Sequence, residues 1–381
     1  MKALYIYPHE SKKVNNNYYH PHLNEILDRY RYIANDLTVI ISDGKLNDFS
    51  RFNKSSVIND RLVIFPKINN IKNLIFKSKK NIIDEIKKAD LVITKLPSFE
   101  GNIAVKYAHK YDKKILVEVV GCVWDALWNH SFKGKLIAPY MFFKTRSNVR
   151  RADYVMYVTN DFLQKRYPNY NYNIGCSDVF IKDHKFNQDK YNNIFNKDKI
   201  VLGTLAAIDT KYKSQDEIIK LLPFLNKKFT HVEYHLAGKG DSSFLKSVAK
   251  KYGVEDKVKF LGLLDKRGVY NLLDDIDFYI QPSKTEGLCR SLIEAMSMSC
   301  VCIAANVGGN NELLDHDFIY PKDNLTSLKD IFNKLSEDSV KKNSSYNYQK
   351  SLDFSQEIIK EKREVFYNQV LSDLQNTLLS H

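Results

Sequence analysis

Short apolar runs alternate with amphipathic stretches along nearly the whole chain. In the first half, runs at 3–7, 37–41, 62–65, 91–94, 115–120 and 154–158 predict strands, with helical spacing at 22–34 and 81–89. In the second half, strands fall at 200–207, 231–237, 258–261, 278–281, 301–305 and 317–319. Helices fall at 215–225, 243–252, 266–273 and 289–298. The runs are continuously apolar, as in strands covered on both faces, and strands that take turns with helices build parallel sheets. The pattern restarts near residue 199, after a polar stretch rich in Asn and Lys. Strand signals stop beyond residue 325, and helical spacing at 328–335 and 354–378 follows. The expected architecture is α/β, with two Rossmann-like, doubly wound domains facing a central cleft. Its expected parts are an N-terminal domain at 1–185, a linker at 186–198, a second domain at 199–353 and a terminal helix at 354–381 packing across both. Ligands of such sheets bind at the carboxyl ends of the strands, so the cleft is the expected site.

Composition excludes several classes. With 381 residues, 44% of them hydrophobic and 27% charged, the chain buries enough apolar surface to offset its ordering entropy. Fourteen Gly and nine Pro without a short repeat exclude collagen-like chains. Cys122, Cys176, Cys289, Cys300 and Cys302 contain no C-x-x-C and give no disulfide framework, so a reducing compartment is expected. The opening MKALYIYPHE lacks the apolar core of a signal peptide. A cytoplasmic location follows as the expectation, either free or peripheral on the inner face of the membrane. The net charge of +13 favours polyanionic partners: nucleic acid, an acidic membrane surface or a phosphorylated substrate. Abundant Lys, Asn, Ile and Tyr also fit AT-rich coding, in which case part of the basicity carries no function.

The chemistry concentrates at 281–314, QPSKTEGLCRSLIEAMSMSCVCIAANVGGNNELL. It reads as a strand, a turn with Glu286 and Gly287, and a helix from about Cys289. Gly287 lets the backbone approach a ligand, and the amides that follow open a helix N-terminus, which suits an anion. Glu286 and Glu294 flank that turn, with seven residues between them. The bare spacing is common among solvated helix charges; its context is more specific.

That context resembles the donor-site signature of retaining GT-B glycosyltransferases of family four, which use nucleotide sugars. Other pieces follow the family's order. TLAAIDTKYKSQDEII at 204–219 resembles its phosphate-binding loop, with Lys213 in the lysine position. HLAGKGD at 235–241 resembles its glycine-bearing strand end, FLG at 260–262 its base-flanking strand, and VGGNNELL at 307–314 its closing segment. The resemblance covers nearly all of 199–320. It implies donor contacts from Gly203, Gly238, Gly240, Leu261, Gly262, Ser283, Gly287, Leu288, Arg290 and Glu294, and catalytic roles for Glu286 and Lys213. One departure stands out. The family places an Arg shortly before the Lys, and 201–210 holds none. Lys211 or Arg290 would take its place, although Lys does not reproduce a bidentate Arg.

The resemblance implies transfer with retention from a nucleotide sugar, UDP-linked by preference and GDP-linked as the alternative. Lys213 and the Gly287 and Leu288 amides would stabilise the leaving phosphate. Glu286 would orient the donor sugar, and Glu294 would hold ribose. No cofactor and no essential metal are expected. Asp275 and Asp277 form an Asp-x-Asp, but a helix-to-strand turn accounts for them. Gly238 and Gly240 lack the third Gly of a dinucleotide fingerprint.

In the first half, EVVGCVWDALWNHS at 118–131 follows a buried strand. Asp125, Trp124 and His130 are acceptor candidates there, Asp125 also as a catalytic residue, as is His20 in the loop after the first strand. Local capping and a plain surface loop account equally well for Asp125 and His130. KLPS at 95–98, Trp124-Asp125 and the 157–168 segment resemble capsule and exopolysaccharide glycosyltransferases of the same family. That implies a growing cell-surface polysaccharide or a lipid-linked oligosaccharide as acceptor. Basic stretches at 67–88 and 132–151, each mixed with apolar residues, suggest an anionic membrane surface as a further partner. Core packing with a solvated basic face explains them equally. Nucleic acid is not expected, because no reading module is present. A UDP-sugar isomerase or epimerase of the same fold, and a non-catalytic basic nucleic-acid-binding protein, are the alternatives.

Overall fold

The computed structural model describes residues 1–14, 17–20, 23–43, 60–65, 71–182 and 184–379. They form two compact units, which do not follow the sequence strictly. Unit 1 comprises Met1–Val123, Pro139–Cys176 and Glu361–His381, and unit 2 comprises Trp124–Ala138 and Ser177–Lys360.

Unit 1 begins with β1 (Lys2–Val14), β2 (Asn17–Tyr19), α1 (Leu23–Arg31), β3 (Asp36–Asp43), β4 (Arg61–Phe65), α2 (Ile71–Lys88), β5 (Leu91–Leu96), α3 (Phe99–Lys110) and β6 (Lys114–Val119). The chain continues through α4 (Val123–His130) and α5 (Phe132–Arg151), then β7 (Tyr154–Tyr157), α6 (Phe162–Arg166) and β8 (Tyr172–Gly175). The sheet order is β4-β3-β1-β5-β6-β7-β8, all parallel, with β2 antiparallel to the end of β1. Val92, Ile93, Leu116 and Val117 are fully buried in the central strands, which is why β5 and β6 show no alternation. Glu118 is also buried, and it is fully engaged there. Tyr30 donates to it at 2.6 Å and the Lys95 ammonium lies 3.0 Å away. Burial alone would raise its pKa; Lys95 and Arg29 reverse this and hold it at about 2.

Unit 2 runs β9 (Ile200–Leu205), α7 (Gln215–Lys228), β10 (Val232–Ala237), α8 (Ser243–Lys251), β11 (Val258–Gly262), α9 (Lys266–Asp275), β12 (Phe278–Gln281), α10 (Arg290–Ser297), β13 (Val301–Ala305) and β14 (Ile319–Tyr320). Three helices follow: α11 (Leu325–Lys334), α12 (Glu337–Ser351) and α13 (Gln356–Leu379). The sheet order is β11-β10-β9-β12-β13-β14, all parallel. Both sheets are therefore doubly wound, as the apolar pattern predicts.

The segment expected as a linker is built into unit 2. Tyr191 and Ile194 belong to its core. The Tyr191 hydroxyl donates to the Asp277 carbonyl at 2.8 Å and accepts from the Val301 amide at 2.7 Å. Asp277 is engaged as well: its carboxylate meets Lys197 at 2.6 Å and the Val201 amide at 2.8 Å. The terminal helix divides at Lys360, and its remainder from Glu361 groups with unit 1.

Candidate functional site

In unit 2 the strand order reverses between β9 and β12, and loops leaving adjacent strands part there. The loop after β9 makes a tight turn at Lys211–Lys213 before α7, and the loop after β12 carries Glu286. The Lys284 amide donates to the Tyr212 carbonyl at 2.7 Å and ties the two loops together. Lys213 Nζ then lies 2.6 Å from Glu286 Oε1. The pair is largely enclosed, with side-chain exposures of 19% and 12%. Burial alone would lower the Lys213 pKa, but the attraction and hydrogen bond of Glu286 raise it.

A chain of side chains fixes Glu286 from behind. Gln281 Nε2 donates to Glu286 Oε1 at 3.0 Å and to Ser283 Oγ at 2.8 Å. Its Oε1 accepts from the buried Tyr279 hydroxyl at 2.7 Å, which sets the direction of the amide. The helix α10 starts just beyond. No side chain caps it and its first turn holds no acid, so its leading amides present a positive end unopposed by a neighbouring carboxylate in that turn. Cys289 stands at the cap, but burial and then Glu286 push its thiol up to about 12, which makes it a poor nucleophile.

Backbone fit replaces side-chain contact on two sides. Gly308 has φ +57, and a Cβ there would sit 2.3 Å from the Glu286 carbonyl oxygen. The Gly309 amide donates to the Gly287 carbonyl at 2.8 Å. At Gly238, a Cβ would lie 1.8 Å from the Ala206 carbonyl oxygen. Below the site, Lys284 Nζ meets Asp323 at 2.5 Å. Burial, followed by hydrogen bonding to Asp323, raises Glu217 to about 7.

Lys213, Ser283, Glu286 and Gly287 of the expected set thus come together, with Leu288, Arg290 and Glu294 following on the same segment. Burial raises the Glu294 pKa against the opposing pull of Arg290 and Lys266. Gly238 donates its amide to the Gly262 carbonyl at 2.8 Å, and Gly240 packs against Asp209. Leu261 is exposed beside them. Gly203 serves packing, since a Cβ there would meet the Ile276 side chain. Lys211 lies over the Phe244 ring at 5.6 Å.

Trp124, Asp125 and His130 lie on α4, in the part grouped with unit 2. Asn129 of that helix donates to the Lys284 carbonyl at 3.4 Å, so α4 is joined to the loop that carries Glu286. His20 follows β2 in unit 1. Sequence reasoning missed Gln281, because only the fold shows that its amide faces Glu286. Among the described residues, no cluster of His, Cys, Asp and Glu has the makings of a metal site.

Comparison with known proteins agrees with this architecture. The family model for glycosyl transferases group 1 matches residues 185–352. Protein CapJ of Staphylococcus aureus is 31% identical over 388 residues, covering 98% of this chain and 97% of the relative. Sucrose-phosphate synthase from Thermosynechococcus elongatus has a TM-score of 0.72 at 13% identity, covering 98% of this chain and 99% of that one. Anabaena HepE, solved in complex with UDP-glucose, has a TM-score of 0.64 at 18% identity, covering 100% of both chains. The chain is a glycosyltransferase of the GT-B fold and belongs to the glycosyl transferases group 1.

Proposed function

We propose that the protein is a retaining transferase that moves a sugar from a nucleotide donor, UDP-linked by preference, to a growing polysaccharide or lipid-linked oligosaccharide. The observation that carries this reading is the enclosed Lys213–Glu286 pair beside the uncapped start of α10. The UDP-glucose held by HepE supports the choice of donor.

In this reading the donor diphosphate rests on Lys213 and on the Gly287 and Leu288 amides, and displaces the Lys213 contact with Glu286. Glu286, still held by Gln281, turns its carboxylate to the sugar hydroxyls. Glu294 takes the ribose, and Asp125 and Trp124 face the acceptor, with His130 and His20 as further acceptor contacts. The bond from the anomeric carbon to the leaving phosphate oxygen breaks, the acceptor oxygen bonds to that carbon on the same face, and its proton passes to the leaving phosphate. Fixed donors aimed at the growing phosphate charge supply the largest stabilisation, so the step needs no resident metal.

The enzyme works in the cytoplasm at an anionic membrane surface, where lipid-linked acceptors reside. Among the described residues, no helix is long and apolar enough to cross a membrane.

A thermal-shift panel of nucleotide sugars, followed by transfer assays on Lys213→Ala and Glu286→Gln, tests this reading. A selective UDP-sugar shift is expected, with both variants folded and inactive in transfer. Full activity in both variants refutes the site. A rearranged sugar formed without acceptor would make the protein an isomerase.

A further inference from the structure

Unit 1 carries a groove that the transfer chemistry leaves unused. It lies between α3 and the later turns of α5 and has a volume of about 600 Å³. That is within the usual range for small-ligand sites, roughly 300–1,000 Å³. The two helices are pinned together at the groove, where Asn148 donates to Asn102 at 2.6 Å and both residues are buried. The cavity is therefore held by a fixed contact between its walls.

Its lining combines two kinds of group. Phe99, Tyr140 and Phe143 are exposed by 44%, 65% and 65%, an apolar surface that water solvates poorly. Lys106, Lys144 and Arg151 are the charged members, and no Asp or Glu lines the groove. The Lys106 and Lys144 ammonium groups lie 5.8 Å and 5.6 Å from the Tyr107 and Tyr140 ring centres. Glu100, beside Phe99, is outside the lining, and burial raises its pKa.

A free phosphate would find the cations but leave the aromatic rings in water. A neutral apolar ligand would cover the rings and leave three cations unanswered. An amphiphile with a phosphate head satisfies both, and aromatic rings beside Lys and Arg are the usual furniture of a membrane–water boundary. We propose that this groove takes the phosphate and upper acyl chains of an anionic bilayer phospholipid and so docks unit 1 on the membrane. The proposal deepens the membrane-surface part of the function above and rests on it.

The test is co-sedimentation of the full chain with vesicles of phosphatidylcholine, alone or mixed with phosphatidylglycerol. The triple variant Lys106→Ala, Lys144→Ala, Arg151→Ala removes three surface cations. At about 1 kcal/mol for each basic residue near an anionic surface, binding to the mixed vesicles falls on the order of 100-fold. Tyr140→Ser with Phe143→Ser weakens binding with all the charges still present. Lys227→Ala, Lys250→Ala, Lys251→Ala on unit 2 removes the same charge elsewhere and leaves binding as it was. Wild-type binding to mixed vesicles alone, lost in both groove variants and kept in the control, is the expected result. If the groove variants bind like wild type, or the control loses as much, the groove is refuted while membrane docking stands. If the wild type ignores both kinds of vesicle, both ideas fall. A donor-induced thermal shift retained in every variant shows that the fold and unit 2 are intact.

Discussion

Gly308→Ala separates two effects that a single methyl group brings together. The residue has φ +57, so any L side chain there carries the left-handed penalty of about 1–2 kcal/mol. The added Cβ also meets the Glu286 carbonyl, 2.3 Å from its oxygen and 2.7 Å from its carbon. Neither atom belongs to a flexible side chain, so the Glu286 turn must retreat by roughly 1 Å to restore contact distance, a misplacement that can cost about 100-fold in rate. Gly253→Ala supplies the control. It has φ +65 with nothing within 4 Å of its Cβ position, so it carries the same backbone penalty and no clash. Both variants are expected to lose about 2–4 °C in Tm per kcal/mol, read by calorimetry. Only Gly308→Ala should lose kcat/KM in transfer, by about 100-fold. Equal activity in the two variants would show that the glycine does not set the position of Glu286.

Gln281→Leu removes the bond to Glu286, and hydrogen bonds to charged groups are worth about 1.5–3 kcal/mol, so kcat/KM should fall by roughly 10–100-fold. An unchanged steady-state rate would rule out its positioning role. Chelation with EDTA should leave transfer unaltered; lost activity restored by a divalent cation would contradict the charge assignment to Lys213 and the amides. The Glu217 pKa rises to about 7 from an ordinary carboxyl value, so the folded state binds the extra proton. The stabilisation is therefore complete below the ordinary carboxyl range and is lost as pH rises through about 7. Glu217→Gln should flatten the fall in Tm over that window, and a slope identical to wild type would count against the assignment.

The doubly wound sheets were legible because strands buried on both faces leave uninterrupted apolar runs, as at Phe278–Gln281 and Val301–Ala305. The edge strand Tyr172–Gly175 was not legible: its residues are exposed or half-exposed and carry no apolar signal. The helix Glu337–Ser351 is polar apart from Val340, Tyr346 and Tyr348, yet it buries Asn343, Ser344 and Asn347. Those side chains satisfy the Cys302 amide and the Ser299 and Cys300 carbonyls, a long-range service that periodicity does not reveal. The polar segment before residue 199 misled for a similar reason. Tyr191 and Ile194, few among many Asn and Lys, are enough to anchor it. At the site, Lys213 and Glu286 were recognisable from their motifs. Their pairing was not, because 73 positions of chain separate them and only the strand order brings their loops together.

That pairing has a bearing on selectivity. A lysine already matched with a carboxylate is a poor trap for stray anions. Inorganic phosphate or pyrophosphate can win the ammonium only by abandoning an enclosed acid without a counter-charge, and such orphaning is expensive. A molecule that brings hydroxyls for the acid along with phosphates for the base escapes this penalty. The acid that holds the lysine is thus a built-in competitor, biased against half-matching visitors.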